Sequence, residues 1–515
     1  MSYLISILIA ICIVILCYIY LKWRYSYWKR VGLNYLEPDF FFGNTKDLLS
    51  KKISVGDQFA KLYRELKRKG WKHGGAFSFF RPVYIPVDLD LIKNIMVSDF
   101  DHFVNHGVYF NEEINPLSGH LFNLEDQKWK RMRNKVTPSF TSSNLKMMYQ
   151  TVFECSVGLK DLLAEKALIQ DAVDIKEALS RFTTDVIGTV AFGLDFNSLK
   201  QSDSKFRENG KKFFDDNWKQ QLRQLIVFVI HRDYLRALKF PIFDKGMEKF
   251  FMDVIRRTIE YRENNNVFRK DFIHMMLQLK NRGKIADDEF ITKRKDEEVG
   301  SDIITFNELA AQCFLFFIAG FETSATTMTF ALLEMALNPD IQDKLREEIK
   351  IVLKNHNGEL TFDNINEMKY LTQVIYETLR KHPPAPALPR ICTKTYQVPN
   401  TDIVLEKDTN VVIPVLGIQH DPDIYPNPQR FDPERFSAEN IATRKTCAFM
   451  SFGEGPRYCL GSRFGLLETK VGIISVLDNF KVELHKKTKL PIKYVTNAFI
   501  LAVDGGVWLK ISKVN

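Results

Sequence analysis

Phe452-Gly453-Glu454-Gly455-Pro456-Arg457-Tyr458-Cys459-Leu460-Gly461 decides how the rest of the chain is read. Three glycines and a proline within ten residues favour a tight turn whose backbone can approach a flat ligand closely. Cys459 sits at the entrance of the apolar run Phe464-Gly465-Leu466-Leu467, which continues as a helical pattern. The partial positive charge of a helix N-terminus favours a thiolate over a thiol, and Arg457 adds a full positive charge two residues away. A single thiolate held this way, with no second cysteine nearby, suits the axial position of a haem iron. The plainer reading of any one cysteine beside a turn is a buried structural residue.

The whole decapeptide resembles the Phe-x-x-Gly-x-Arg-x-Cys-x-Gly haem-ligand loop of the cytochrome P-450 family, matched at Phe452, Gly455, Arg457, Cys459 and Gly461. The resemblance implies a mainly α fold with a smaller β region, and haem b (iron protoporphyrin IX) as cofactor. It makes Cys459 the iron ligand, with Phe452 shielding the sulfur side and backbone N–H groups near Leu460 and Gly461 tuning it.

Upstream, Thr305-Phe306-Asn307-Glu308 is a capping box, and the apolar sequence after it runs to Asn338-Pro339. That predicts a helix of about 32 residues, about 48 Å long. Glu322 and the Thr-rich segment Thr323–Thr327 disfavour a lipid-facing span, so the helix is expected to cross the centre of one large domain. Phe316, Gly320, Thr323 and Thr327 share a face. Gly320 weakens the helix, and the Thr323 hydroxyl can bond back to the Ala319 carbonyl, which tends to bend helices. Alone, Thr323 reads as a satisfied buried hydroxyl. Ala319-Gly320-Phe321-Glu322-Thr323 nevertheless resembles the family's oxygen-activation motif, which implies that Glu322 and Thr323 deliver protons.

Glu377 and Arg380 stand at i and i+3 and can pair on one helix face. They match the family's Glu-x-x-Arg motif, which implies a buried charge network with Arg435 of Pro433-Glu434-Arg435-Phe436 that supports the cysteine loop. Trp129 and Arg133, one helical turn apart, resemble the family's Trp-x-x-x-Arg element. With Arg390 and Arg457 they are implied to bind the haem propionates, for which arginines and a donor-only indole are suited.

The N-terminus reads independently. Tyr3 to Leu21 is almost unbroken apolar sequence, about 29 Å as a helix, and Lys22, Arg24, Lys29 and Arg30 follow it. The expectation is one membrane helix, residues 1–21, with residues 22–515 as a catalytic domain on the cytosolic side. A cleaved signal peptide is disfavoured by the missing basic n-region. Tyr35-Leu36-Glu37-Pro38 reads as a short hinge. Residues 75–87 read as a β-hairpin about Arg81-Pro82, with further strands at 403–405, 410–414 and 499–511. Asn281 to Asp302, dense in charge, reads as a solvated loop. The seven scattered cysteines, with no CxxC pair, fit a reducing compartment and disfavour disulfides or zinc. The net charge of +9 is too diffuse to argue for nucleic acid, and no nucleic-acid motif occurs.

Three further stretches resemble insect family 6 of the microsomal detoxification clan: Phe182–Leu194, Phe110-Asn111-Glu112 to Pro116-Leu117-Ser118, and Lys135–Phe140. That resemblance implies a monooxygenase of the endoplasmic reticulum membrane. It takes electrons from NADPH–cytochrome P-450 reductase, with cytochrome b5 as a further partner and O2 and a small lipophilic molecule as substrates. Lys128, Lys130, Arg131, Lys135, Arg444, Lys445 and Arg463 are candidates for a basic docking face. Phe110, Phe122, Phe316, Ala387 and Leu388 are candidates for the substrate lining, which predicts neutral, often aromatic substrates such as plant toxins, insecticides, lipids or hormones. Two rivals differ in reactivity: a haem-thiolate isomerase or dehydratase acting on peroxides without a reductase, and a non-catalytic haem sensor.

Overall fold

The computed structural model describes residues 2–169, 171–200, 205–214, 218–269, 271–285, 303–496 and 498–514. In chain order the elements used below are α1 (Ser2–Tyr25), β1 (His73–Ser78), β2 (Arg81–Pro86), α2 (Asp126–Val136), α3 (Ser142–Ile169), β3 (Val173–Asp174), α4 (Ile175–Ile187), α5 (Phe306–Leu337), α6 (Lys369–Lys381), β4 (Leu388–Ile391), β5 (Tyr396–Gln397), β6 (Val404–Leu405), β7 (Asn410–Ile413), α7 (Ser462–Leu477), β8 (Phe480–Leu484) and β9 (Trp508–Lys513). Helix dominates and the strands are short, as expected. The described chain falls into two compact units.

The first unit comprises Met1–Gly107, Ala385–Pro426 and Lys445–Arg457. Its main sheet has the order β1-β2-β7-β4, with β2 and β7 parallel and the other pairs antiparallel. The hairpin turns at Phe79-Phe80, two residues earlier than expected; Phe79 takes the left-handed φ of 52°, and Arg81 and Pro82 open β2. Helix α1 carries apolar side chains exposed along its length and runs four residues past Leu21, because Lys22 to Tyr25 contain no helix breaker. The stretch after it is no free hinge. Trp28 is wholly buried and donates its indole N–H to the Ala76 carbonyl at 3.0 Å. Leu36 N–H donates to the Gly75 carbonyl and Gly75 N–H to the Asn34 carbonyl, both at 2.9 Å, so this stretch extends the β1 edge.

The second unit comprises Val108–Pro384, Asn427–Arg444 and Tyr458–Asn515. Helix α5 runs through it unbroken from Phe306 to Leu337. The expected capping box starts it: Glu308 N–H donates to Thr305 Oγ1 at 3.1 Å, and Thr305 N–H to the Glu308 carboxylate at 2.8 Å. Helices α4 and α7 pack against it. Gly320 does not interrupt the helix. A Cβ there would lie 2.5 Å from Ile187 Cδ1 of α4, so any side chain at this position would push the end of the Ile187 side chain aside. The C-terminal sheet has the order β3-β9-β8. Strand β9 begins only at Trp508, because Gly505 and Gly506 take left-handed φ values of 81° and 77° and turn the chain first. Of the charge-dense segment, residues 286–302 lie outside the described residues. Just before them a helix ends at Arg282 with Gly283 as its left-handed cap.

Candidate haem-thiolate site

In the first unit the front of the cysteine loop is braced by a buried amide that sequence reasoning missed. Gln419 Oε1 accepts from Met450 N–H at 2.9 Å and from Ser451 Oγ at 3.1 Å. Its only sequence signal is an amide in the apolar run before His420. Gly455 sits at φ 70° against the Met96 carbonyl, where a Cβ would overlap the backbone oxygen, so no other residue fits there. Arg457 is buried and donates from Nε to the Val104 carbonyl at 2.9 Å. Phe452 is half-buried. Ala387 and Leu388, also half-buried, lead into β4, where Arg390 pairs with Val411 of β7.

Arg390 is the electrostatic oddity of this unit. It is buried, Nη1 donates to the carbonyl of its own neighbour Pro389 at 2.8 Å, and Nε has no hydrogen-bond partner among the described residues. Burial lowers its pKa to about 10, and among the described residues no carboxylate offsets the cost. A buried cation left this way calls for an external anion, which a haem propionate would provide.

In the second unit, Cys459 stands three residues before the first residue of α7. It lies deep in the protein, yet its side chain is open on one side. Burial raises the thiol pKa above the ordinary value; the Gly461 N–H and the Arg133 charge act against that rise without reversing it. A metal cation bound at the sulfur would favour the thiolate over the thiol. Arg133 reaches the loop from α2, donating from Nη2 to the Tyr458 carbonyl at 2.8 Å. Trp129, one turn earlier, is buried.

The middle of α5 is bared as well. Along a largely buried helix, Ala319 is exposed and Gly320 and Thr323 are half-exposed. Thr323 Oγ1 donates to the Ala319 carbonyl at 2.5 Å, as expected. Glu322 forms an ion pair with Lys176 of α4, which also contacts Thr326; sequence reasoning missed this partner, 146 positions away. An open thiol and a bared stretch of helix in one unit fit a flat ligand carried by a metal, and the donor set fits haem.

Phe316 does not join that bared stretch. Its buried ring is enclosed by Phe272, Phe464 and Phe140, with centroids at 4.6, 5.2 and 5.6 Å, so it is a core residue and not the substrate-lining one expected. The ring lies on the α7 side of α5, and Ala319, one position short of a full turn later, takes the bared side. Phe110 and Phe122 are half-buried, and Arg236 stands 5.7 Å over the Phe110 ring. Of the basic candidates, Lys135 is buried and donates toward the Gly283 carbonyl, which removes it from any docking face. Lys128 pairs with Glu112 at 2.6 Å, and Lys130 and Lys445 are exposed.

The sequence profile described as Cytochrome P450 matches residues 36–508 of the chain. The chain is 40% identical to "Probable cytochrome P450 6a14" of Drosophila melanogaster over 95% of its length and 96% of that protein's. It is 38% identical to "Cytochrome P450 6A1" of Musca domestica, covering 96% and 95%, and 37% identical to "Cytochrome P450 6k1" of Blattella germanica, covering 97% and 95%. The chain therefore belongs to the cytochrome P450 family of haem monooxygenases, among insect family 6 proteins.

Proposed function

We propose that the chain is a membrane-anchored monooxygenase that inserts one oxygen atom of O2 into neutral, lipophilic substrates. Its electrons come from NADPH–cytochrome P-450 reductase, with cytochrome b5 as a further donor. The observation that supports this most is Cys459: an open thiol at the head of α7, in a unit where α5 bares Ala319 and Thr323. Haem b at Cys459 supplies the activation of dioxygen. Trp129, Arg133, Arg390 and Arg457 hold its propionates, and Phe452 shields the sulfur. The Gly461 N–H stabilises the charge on that sulfur. Thr323 offers its hydroxyl proton on the bared face of α5, and Glu322, beside Lys176, takes up a proton from solvent and passes it on to replace the one given. Phe110, Phe122, Ala319, Ala387 and Leu388 provide apolar, weakly selective contacts for plant toxins, insecticides or endogenous lipids.

Residues 1–21 anchor the protein once in the endoplasmic reticulum membrane and residues 22–515 act on the cytosolic side. Tyr234 and Leu238, both exposed, add a second lipid contact. The test is oxygen uptake by the full-length protein in vesicles with reductase, NADPH and a lipophilic panel. Uptake that needs NADPH and reductase, with hydroxylated product, is expected. Turnover of peroxides without reductase would instead identify the isomerase chemistry.

A further inference from the structure

Three pieces of the first unit meet where α1 leaves its apolar stretch. The end of α1 lies on the β1–β2 hairpin, with the Tyr25 ring edge-on to Phe77 at 5.1 Å. The Asp39–Gly43 turn lies on the tip of the same hairpin: Gly43 bridges to Ser78, and a Cβ on it would overlap the Phe79 carbonyl oxygen. That turn also returns to α1, where Phe40 meets the Tyr18 ring at 5.3 Å. Arg24 comes from α1 and Arg81 from the hairpin tip, and the Arg24 charge bears on Arg81. Both side chains are half-buried. Arg24 Nε and Arg81 Nη2 are out of water without a hydrogen-bond partner among the described residues, and neither side chain has an ion pair there. The other cations of the stretch are engaged or wet: Lys22 lies over the Tyr18 ring at 5.2 Å, Arg30 donates to the Trp23 carbonyl at 2.7 Å, and Lys29 is exposed. The carboxylate of the turn, Asp39, is taken by Lys46 at 2.9 Å and by the Phe41 N–H at 3.1 Å. Burial and the Arg24 charge together push the Arg81 pKa down to about 10. Two like charges drawn out of water side by side cost free energy that an anion between them offsets. A phosphate suits the place, because each guanidinium fork can offer it two parallel N–H donors. The rim is apolar and open: Phe41 is 70% exposed and Phe42 39%, and Tyr18 and Trp23 of α1 are exposed beside them. A soluble anion gains nothing from such a rim, whereas a lipid sets its chains against the rings and its phosphate against the arginines.

We propose that Arg24 and Arg81 form a binding site for the phosphate of an anionic phospholipid headgroup, with the acyl chains along α1 and the Phe40–Phe42 turn. This rests on the reading of α1 as a membrane anchor with the domain on the cytosolic side. Arg24 stands three residues past Leu21, about 4.5 Å further along the helix, which is headgroup depth. The cytosolic leaflet is the one that carries anionic lipids. A headgroup of net negative charge is selected over phosphatidylcholine, because the choline cation offsets the charge of its own phosphate. Bound there, the lipid joins the hairpin tip to the end of the anchor and holds the first unit against the bilayer.

The test uses the full-length, haem-loaded protein in phosphatidylcholine vesicles that contain phosphatidic acid, extracted into mild detergent and weighed with its bound lipid by native mass spectrometry. The wild type should retain phosphatidic acid in preference to phosphatidylcholine. Arg24→Gln and Arg81→Gln should each weaken that retention roughly fivefold, the worth of one arginine at an anionic surface. Lys29→Gln, which removes an exposed cation from the same stretch, should leave it unchanged. Glycerol phosphate, which carries the charge without the chains, should not displace the lipid. If Arg81→Gln loses haem, Arg24→Gln decides, since Arg24 lies outside the hairpin. Equal retention by the wild type and Arg24→Gln, an equal loss in Lys29→Gln, or displacement by glycerol phosphate overturns the proposal. Alkaline extraction separates its failure from that of the anchor reading. A wild type washed off the vesicles brings down both, whereas a protein that stays in them without preferring phosphatidic acid brings down the headgroup site alone.

Discussion

Arg380 sets its guanidinium fork against the carboxylate of Glu377, Nε to Oε2 at 2.7 Å and Nη2 to Oε1 at 2.8 Å, with both side chains wholly out of water. Arg380 also donates to the Pro428 carbonyl at 2.8 Å; Asp432 N–H donates to Glu377 at 2.9 Å, and Arg435 adds charge at 3.5 Å. The 427–436 stretch is thereby tied to α6. Removing one partner leaves the other as an unpaired buried charge, at a cost of about 3–5 kcal/mol. Glu377→Ala should therefore lower the thermal midpoint sharply and reduce the yield of haem-loaded protein. Arg380→Lys should not rescue it, because a point charge cannot replace the fork. The double change Glu377→Leu with Arg380→Leu should recover part of the loss. A single variant that melts like the wild type contradicts this role.

Arg390 predicts opposite effects in two states. Its burial without an anion destabilises the haem-free protein, so Arg390→Leu should melt no lower than the wild type without haem. With haem the same variant should release the cofactor faster, measured as transfer to an excess of a high-affinity haem acceptor. Unchanged release would remove Arg390 from the propionate set.

Phe316 and Ala319 separate packing from lining. Phe316→Ala opens a cavity among three rings and should cost about 3–5 kcal/mol of stability. Ala319→Leu adds bulk on the bared face and should leave the melt nearly unchanged while altering substrate-induced shifts of the haem spectrum. The reverse pattern would show that Phe316 lines the substrate space after all.

Glu468 of α7, 0% exposed, sets a slope of stability with pH. Its folded-state pKa of about 8 lies above the ordinary carboxyl value of 4.5. Between those values the unfolded chain has released the proton that the folded protein keeps, so stability falls as pH rises, by at most about 1.4 kcal/mol per unit. Below the lower value its contribution is fully present, and above about 8 it is lost. Thermal midpoints measured across this window should decline less in Glu468→Gln than in the wild type. Parallel declines contradict a buried neutral acid.

What was legible in the sequence was local. The capping box at Thr305 and Glu308 and the stop at Asn338-Pro339 bound α5 because both signals lie within a few residues of the ends they mark. Glu377 and Arg380 meet because one helical turn brings them together. Partners that arrive across the chain were not legible: Lys176 on Glu322, Gln419 under Met450, the Gly75 edge that takes up Leu36. Gly320 shows the same limit from the other side. Its missing side chain suggests backbone weakness, and only the position of Ile187 reveals a close approach. Phe316 was misplaced for a related reason, since helical periodicity groups residues by face without saying which face meets the core.

The central claim is that Cys459 ligates the haem iron as a thiolate, although burial alone would keep it a thiol. The absorption spectrum of the reduced, carbon monoxide-bound protein tests it most directly. The account predicts the red-shifted Soret band of a thiolate-ligated haem in the wild type and its loss in Cys459→Ser. Retention of that band by Cys459→Ser, or its absence from haem-loaded wild-type protein, would contradict the account.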